Sequence, residues 1–413
     1  MRRRHFLGLG GALSLAACAR PLRAAPARVV VIGGGYGGAT AARHIALADR
    51  RIEVTLVEAG DAFVSCPLSN LVLGGSRTMQ DLTRSYAGLA KHGVRIVHDR
   101  ALAVDAGRRT VALARGAALP YDRLVVSPGI DFLFDEVEGY AAAQGQVLHA
   151  WKAGPQTAAL RRRLEEMRDG GVYLLAVPML PYRCPPAPYE RACQVASYFK
   201  RAKPRAKVVV LDANQEITSE AAHFQRAWDE LYRGMVDYRP NSAVTAVAPG
   251  AARTDFENVP GDVLNVVPPQ RAGGIAVQAG LITHNKRWCD VDWRTMESTV
   301  APRVHVLGDS TLPASAMPKS GHMAHDQAKV CAAAIVALLS DRPPPAEPEM
   351  TSTCYSFVSD SEAVHLSSRH RYDAAQKTMV QVKGSVSVSK ARSAQEAADG
   401  WKWAQDIWAD MLS

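Results

Sequence analysis

The chain has 413 residues, of which 47% are hydrophobic, 22% charged and 7% aromatic. That is globular composition, which excludes disorder and collagen-like repeats, and seven cysteines in so long a chain are too sparse for a disulfide scaffold. The formal net charge is +9, but Arg2, Arg3, Arg4, Arg20 and Arg23 precede Pro26 with no acid among them, so 9 minus 5 leaves +4 for the remainder and no reason to expect nucleic acid.

At the head of the chain, Arg3-Arg4-His5-Phe6-Leu7 runs into the apolar stretch Gly8 to Ala17. A basic segment before a short apolar one has the form of an export signal, here with the paired arginines of the twin-arginine type. Residues 1–25 are therefore expected to be an address, and the mature chain to work in the periplasm, where disulfides persist. Leu15-Ala16-Ala17-Cys18 fits a lipoprotein box that would anchor the chain at Cys18, whereas Ala17-Cys18-Ala19 fits a small-residue peptidase site; soluble export is the expectation. No internal run reaches the length that spans a bilayer, so no integral membrane segment is expected in the mature chain.

The first structural signal is a nucleotide site. Arg28 to Ile32 reads as a strand, Ala39 to Ala48 as a helix, and Gly33, Gly35 and Gly38 between them satisfy G-x-G-x-x-G. Gly33 permits the turn, Gly35 lets backbone approach a pyrophosphate, and Gly38 lets the helix pack on the strand. A second strand, Glu53 to Val57, ends at Glu58, twenty residues past Gly38, where an acid would bind a ribose hydroxyl. Two further strands end in turns: Tyr121 to Ser127 before Pro128-Gly129, and Val304 to Leu307 before Gly308-Asp309, the places where two-dinucleotide-domain flavoproteins hold FAD and its ribityl chain. FAD is the expected cofactor.

A second βαβ unit follows, with a strand at Gly171 to Val177, a helix at Tyr189 to Lys200 and a strand at Lys207 to Leu211. Its turn, Pro178 to Pro188, is proline-rich where a nicotinamide site would have glycines, so it lacks the donors to cradle a pyrophosphate. What it carries instead is Cys184, at the carboxyl end of a strand, where open α/β sheets place ligands.

Four motifs then carry a resemblance: Cys66-Pro67-Leu68-Ser69-Asn70; Arg183-Cys184-Pro185-Pro186 with Pro188-Tyr189-Glu190-Arg191-Ala192; Pro268-Pro269-Gln270-Arg271-Ala272-Gly273; and Met317-Pro318-Lys319-Ser320-Gly321. From about Arg28 to the C-terminus the chain resembles the flavoprotein subunit of flavocytochrome c sulfide dehydrogenase. The family is related to sulfide:quinone oxidoreductases and to the flavoprotein associated with the Sox system. The resemblance implies an α/β fold of glutathione-reductase type, with two Rossmann-like domains and a C-terminal α+β interface domain. It implies a small inorganic sulfur substrate and a c-type cytochrome partner. Cys66 matches the cysteine that links covalently to FAD, Cys184 one member of a redox disulfide, and Lys319 a lysine beside the flavin. The resemblance places the second redox cysteine just after Gly308-Asp309, where this chain has Thr311. A threonine cannot form a disulfide. Cys193 and Cys331 do not replace it by position, which leaves Cys184 acting alone, a changed substrate, or an accessory role with a sulfur-carrying partner. A sulfide:quinone-type reductase is a further alternative.

The remaining candidates read as follows. Arg183 is placed to lower the Cys184 pKa. His322 and His325, at helical spacing, are proton donors or mere polar positions, and no metal set is expected. Cys289 and Cys354 read as structural, and His365 and His370 as solvated. The expected division is an FAD-binding part at 26–150, a nicotinamide-like insert without nucleotide motif at 151–278, a second FAD-binding part at 279–340, a proline-rich linker, and the interface domain at 346–413. The last contains β-type alternation at Met379 to Val388 and a helix at Ala394 to Leu412, whose Trp401, Trp403 and Trp408 suit core and partner docking.

Overall fold

The computed structural model describes residues 26–413, and the expected export signal and Cys18 lie outside the described residues. The strand Arg28–Ile32 forms where expected, its β-branched run buried on both faces as in a parallel sheet. It lies inside a seven-stranded sheet, with Glu53–Glu58 and then Arg95–His98 on one side and Arg123–Val126, then Val304–Val306, on the other. All of these pair in parallel. The strand order reverses between Arg28–Ile32 and Arg123–Val126, and that reversal is where such sheets open a ligand crevice. Two helices, Tyr36–Ala48 and Gly321–Leu339, pack against each other beside the sheet.

A second parallel sheet has the order Val236–Arg239, Lys207–Asp212, Val172–Val177, Val263–Val266. Its reversal falls beside Val172–Val177, so the turn that leaves this strand occupies the same place as the glycine loop does in the first sheet. The helix after it spans Ala187–Ala202, two residues longer at each end than the sequence suggested, because Pro188 sits in its first turn, where a missing N–H costs nothing.

The C-terminal segment differs more from expectation. Two long antiparallel strands, Glu349–Phe357 and Ala363–Asp373, dominate it, and the expected alternation at Met379 to Val388 is split into Thr378–Gln381 and Ser387–Val388. The long strands evade hydrophobic patterning because polar residues interrupt their buried positions: Ser352, Ser356, Ser368 and His370 are all covered. His370 is thus buried and not solvated, and His365 bonds Glu396 through Nδ1 at 2.8 Å. The closing helix, Ala394–Leu412, is capped by Ser393, whose side chain accepts from Glu396 N–H. Its Trp408 is core, with Nε1 donating to the Tyr36 hydroxyl at 3.0 Å. Among the described residues, no helix is long and apolar enough to cross a membrane.

Candidate active site

The glycine loop has the shape a dinucleotide needs. Gly33 has φ +95°, and a Cβ there would lie 2.3 Å from Ser127 O. A Cβ on Gly38 would lie 1.8 Å from Gly33 O, so the helix sits on the strand at a distance only glycine allows. A Cβ on Gly35 would meet nothing within 4 Å, which leaves the backbone open on the side where a pyrophosphate would approach the helix N-terminus. Glu58 bridges the loop, accepting from Gly34 N–H at 2.7 Å and Gly60 N–H at 2.8 Å.

At the far end, Gly129 and Gly308 both adopt positive φ, and Ser310 Oγ donates to Gly129 O at 2.5 Å, tying the two FAD-type turns together. Asp309 is buried, and its Oδ1 has no partner. An orphaned carboxylate oxygen after one strand of the sheet and an open glycine loop after another fit a polyhydroxyl chain and a pyrophosphate, and so FAD fits the residues present. Burial raises the Asp309 pKa, against the pull of Arg183, 3.7 Å away at Nη1, and of Lys319. Lys319 is not a surface residue: it is 5% exposed, its Nζ donates to Asp309 O at 2.9 Å and to Thr311 O, and it lies 3.6 Å from the centre of the Trp288 ring. Burial brings its pKa down to about 7.

The proline-rich turn is pinned onto this frame. Cys184 adopts φ +60°, its N–H donates to Lys319 O at 2.7 Å, and Arg183 N–H donates to Gln270 Oε1 at 2.9 Å. A pocket beside it is lined by Cys66, Asn70, Trp151, Cys184, Glu190, Arg191, His322 and Cys354. Three of the six described cysteines therefore meet there, all as free thiols. Cys66, between the strand Ala62–Val64 and the helix Asn70–Gly74, accepts from Ala153 N–H at 3.2 Å.

Thr311 is buried away from this pocket, with Oγ1 donating to Gly308 O at 2.9 Å. Cys193 is interior to its helix near Trp228, and Cys331 is buried near Arg123. The thiols that share this pocket with Cys184 are Cys66 and Cys354, the latter read from sequence as structural. Burial raises the Cys184 thiol well above its ordinary value, with Cys354 and Glu190 adding to the rise, so the opposing Arg183 does not make it a ready thiolate. Burial likewise pushes Cys354 up to about 12.

Two charged residues of the pocket were quoted in motifs but given no role from sequence. Glu190 is 6% exposed, accepts from Asn70 Nδ2 at 2.6 Å and Phe357 N–H at 3.0 Å, and is pushed by burial up to about 7. Arg191 donates to Asn70 Oδ1, Asn265 Oδ1 and the carbonyls of His149 and Ala150. It keeps a buried cation beside the thiols with no carboxylate in contact among the described residues. The only signal that could have singled them out is an adjacent acid and base on the buried face of a helix. His322 accepts through Nδ1 from Thr353 N–H at 2.9 Å and Trp403 Nε1–H at 3.3 Å. His322, His325 and Asp326 present ligand-type atoms within 4.8 Å of one another, but those two donors hold the His322 proton on Nε2, which suits a hydrogen-bond donor better than a metal ligand.

The fold with two Rossmann-type sheets and a cysteine turn over a flavin-type crevice defines a flavoprotein of the pyridine nucleotide-disulphide oxidoreductase class, and residues 27–163 match the model of that family. Residues 157–268 match the family described as sulfide dehydrogenase (flavocytochrome c) flavoprotein chain, central, and residues 346–412 that of flavocytochrome c sulphide dehydrogenase, flavin-binding. The chain is 58% identical over 45 residues to the sulfide dehydrogenase (flavocytochrome c) flavoprotein chain of Chlorobaculum thiosulfatiphilum, covering 11% of this chain and 94% of that sequence. It belongs to that flavoprotein family. It is also 24% identical over 310 residues to the mitochondrial sulfide:quinone oxidoreductase of Mus musculus, covering 70% of this chain and 66% of that relative. The solved sulfide:quinone oxidoreductase of Aquifex aeolicus shares its fold, with TM-score 0.77 and 18% identity over 93% of this chain and 91% of that one.

Proposed function

We propose that this protein is the flavoprotein of a periplasmic sulfide dehydrogenase, which oxidises sulfide or a related reduced sulfur species at Cys184 and passes electrons to a c-type cytochrome. The observation that carries the reading is the meeting of Cys184 and Cys354 in one pocket with Cys66. Bound FAD would supply the two-electron acceptor and release electrons singly to haem. The glycine loop, Glu58 and Asp309 would hold its ends, and Cys66 its covalent link.

The chain's own residues account for the sulfur chemistry. Cys184 and Cys354 form a disulfide in the oxidised state. Arg191 favours an anion in the pocket, and hydrosulfide attacks the Cys184 sulfur, forming a persulfide there as the bond to Cys354 breaks. Glu190, poised near neutrality, takes the persulfide proton. Lys319, held by the Asp309 and Thr311 carbonyls, would offer a cation that favours negative charge on the flavin.

Anaerobic titration of the purified holoprotein with sulfide tests this reading. Loss of the flavin visible band at near-stoichiometric sulfide is the expected result, and an unchanged spectrum sinks it. Reoxidation by a c-type cytochrome, but not by a soluble quinone, is expected next; the reverse would favour a sulfide:quinone-type acceptor, as in the relatives named for it. Covalent attachment predicts that flavin stays with the denatured chain and leaves it in Cys66→Ser. The accessory reading draws its support from Thr311, and an unbleached flavin would favour it.

A further inference from the structure

Three residues of the thiol pocket, His322, Tyr355 and Trp403, also line an open cleft between the helices Gly321–Leu339 and Ala394–Leu412. The wall between the pocket and that cleft is therefore aromatic. Its rings touch: Tyr355 and Trp403 lie 5.8 Å apart between centres, His322 and Trp403 5.9 Å apart and edge to face, and Trp403 Nε1 donates to His322 Nδ1 at 3.3 Å. Trp403 and Thr353 both donate to His322 Nδ1 and so keep its Nε2 protonated, and Nε2 has no partner among the described residues. The closing helix is shaped around this wall. Gly400 stands inside it, where glycine costs about 1 kcal/mol against alanine. A Cβ there would lie 2.9 Å from Tyr355 Cβ and 3.0 Å from Cγ, so the missing side chain is what lets the Tyr355 ring lie against the helix, one turn before Trp403. Behind the wall the pocket holds about 70 Å³, room for a few molecules the size of water.

We propose that His322, Tyr355 and Trp403 form a size-selective neck, which admits a hydrosulfide-sized anion from the open cleft to Cys184 and holds back thiols with an organic body. The identity of the substrate rests on the proposed sulfide oxidation; the neck itself does not. Charge does not make the selection, because the cleft lysines are each paired, Lys329 with Asp410 at 3.0 Å and Lys402 with Asp406 at 2.5 Å. Size does. A small anion passes by exchanging part of its water for the free His322 Nε2–H. A bulkier thiol needs the rings to part, against the packing of Tyr355 on Gly400 and the hydrogen bond that ties Trp403 to His322. Cys354 also lines a second, apolar cavity, so Cys184 is the thiol that reports on the neck.

The test is the rate at which Cys184 in the reduced, desalted holoprotein reacts with methyl methanethiosulfonate and with a benzophenone-bearing methanethiosulfonate, each relative to free cysteine and scored by mass spectrometry. In the native chain the bulky reagent should be at least tenfold slower than the small one. Trp403→Ala and Tyr355→Ala should speed the bulky reagent at least tenfold and the small one less than threefold, with flavin content as the check on folding. Trp403→Phe, which keeps a ring, should keep most of the discrimination. A native Cys184 that takes both reagents equally, or opened variants whose ratio stays native, would overturn the proposal. If sulfide leaves the native flavin unbleached while the two reagents behave as expected, the sulfide reading falls and the neck stands.

Discussion

Two turns of this molecule occupy the same position in the same supersecondary unit and do opposite work. Each leaves an inner strand of a parallel sheet at the point where strand order reverses, and each leads into a helix: Arg28–Ile32 into Tyr36–Ala48, and Val172–Val177 into Ala187–Ala202. The first turn is glycine-rich, with Gly35 exposed at the start of the helix and the Gly33 and Gly34 N–H groups already bonded to Val57 O and Glu58. The second is proline-rich, with few donors and a thiol held at φ +60°. Topology therefore fixes where a ligand goes, while the residues of the turn decide whether charge or electrons are handled there.

The sharpest way to break the comparison is at sulfur. Cys184→Ser or Cys354→Ser should reduce anaerobic flavin bleaching by sulfide by about a thousandfold or more, since each removes one half of the pair. The flavin-to-protein ratio should stay native, because neither thiol lies on the glycine loop. A variant with Cys354 replaced that still bleaches at the native rate would return Cys184 to acting alone.

At the glycine turn, two substitutions separate folding from binding. Gly38→Ala puts a methyl 1.8 Å from Gly33 O, so the backbone must move, and a loss of about 3 kcal/mol or more is expected in denaturant unfolding. Gly35→Val meets open space in the chain itself, so the apoprotein should unfold at its native midpoint while the flavin content of the purified protein collapses.

Glu190 yields a pH signature. Its folded pKa of about 7 lies above the ordinary 4.5, so the native state binds the extra proton between these values. Its contribution to stability is fully present below about pH 4.5 and is lost as pH rises through 7, by up to about 3 kcal/mol. Glu190→Gln should remove that slope from the stability–pH curve, and an unchanged slope would mean that other groups set it.

The smallest effect is expected at Thr311. Its hydroxyl makes one local bond to Gly308 O, so Thr311→Val should cost about 1 kcal/mol and leave sulfide bleaching within about twofold. A large loss of bleaching would put Thr311 back into the chemistry.

The sequence alone determined the α/β class, the glycine loop with Glu58, the strands ending at Gly129 and Asp309, and the proline-rich turn with Cys184. Each is written in a few adjacent residues whose backbone demands or donor counts are local. It placed Lys319 near these turns but not its depth, and it named Cys354 only as a structural cysteine. The strand that carries Cys354 has serines on its buried face, so no hydrophobic alternation announced it, and its meeting with Cys184 spans 170 positions of chain. Only tertiary structure decided which thiols share a pocket and which carboxyls lose their water. Proximity across sheets and desolvation are properties of the packed chain, and no short window of sequence encodes them.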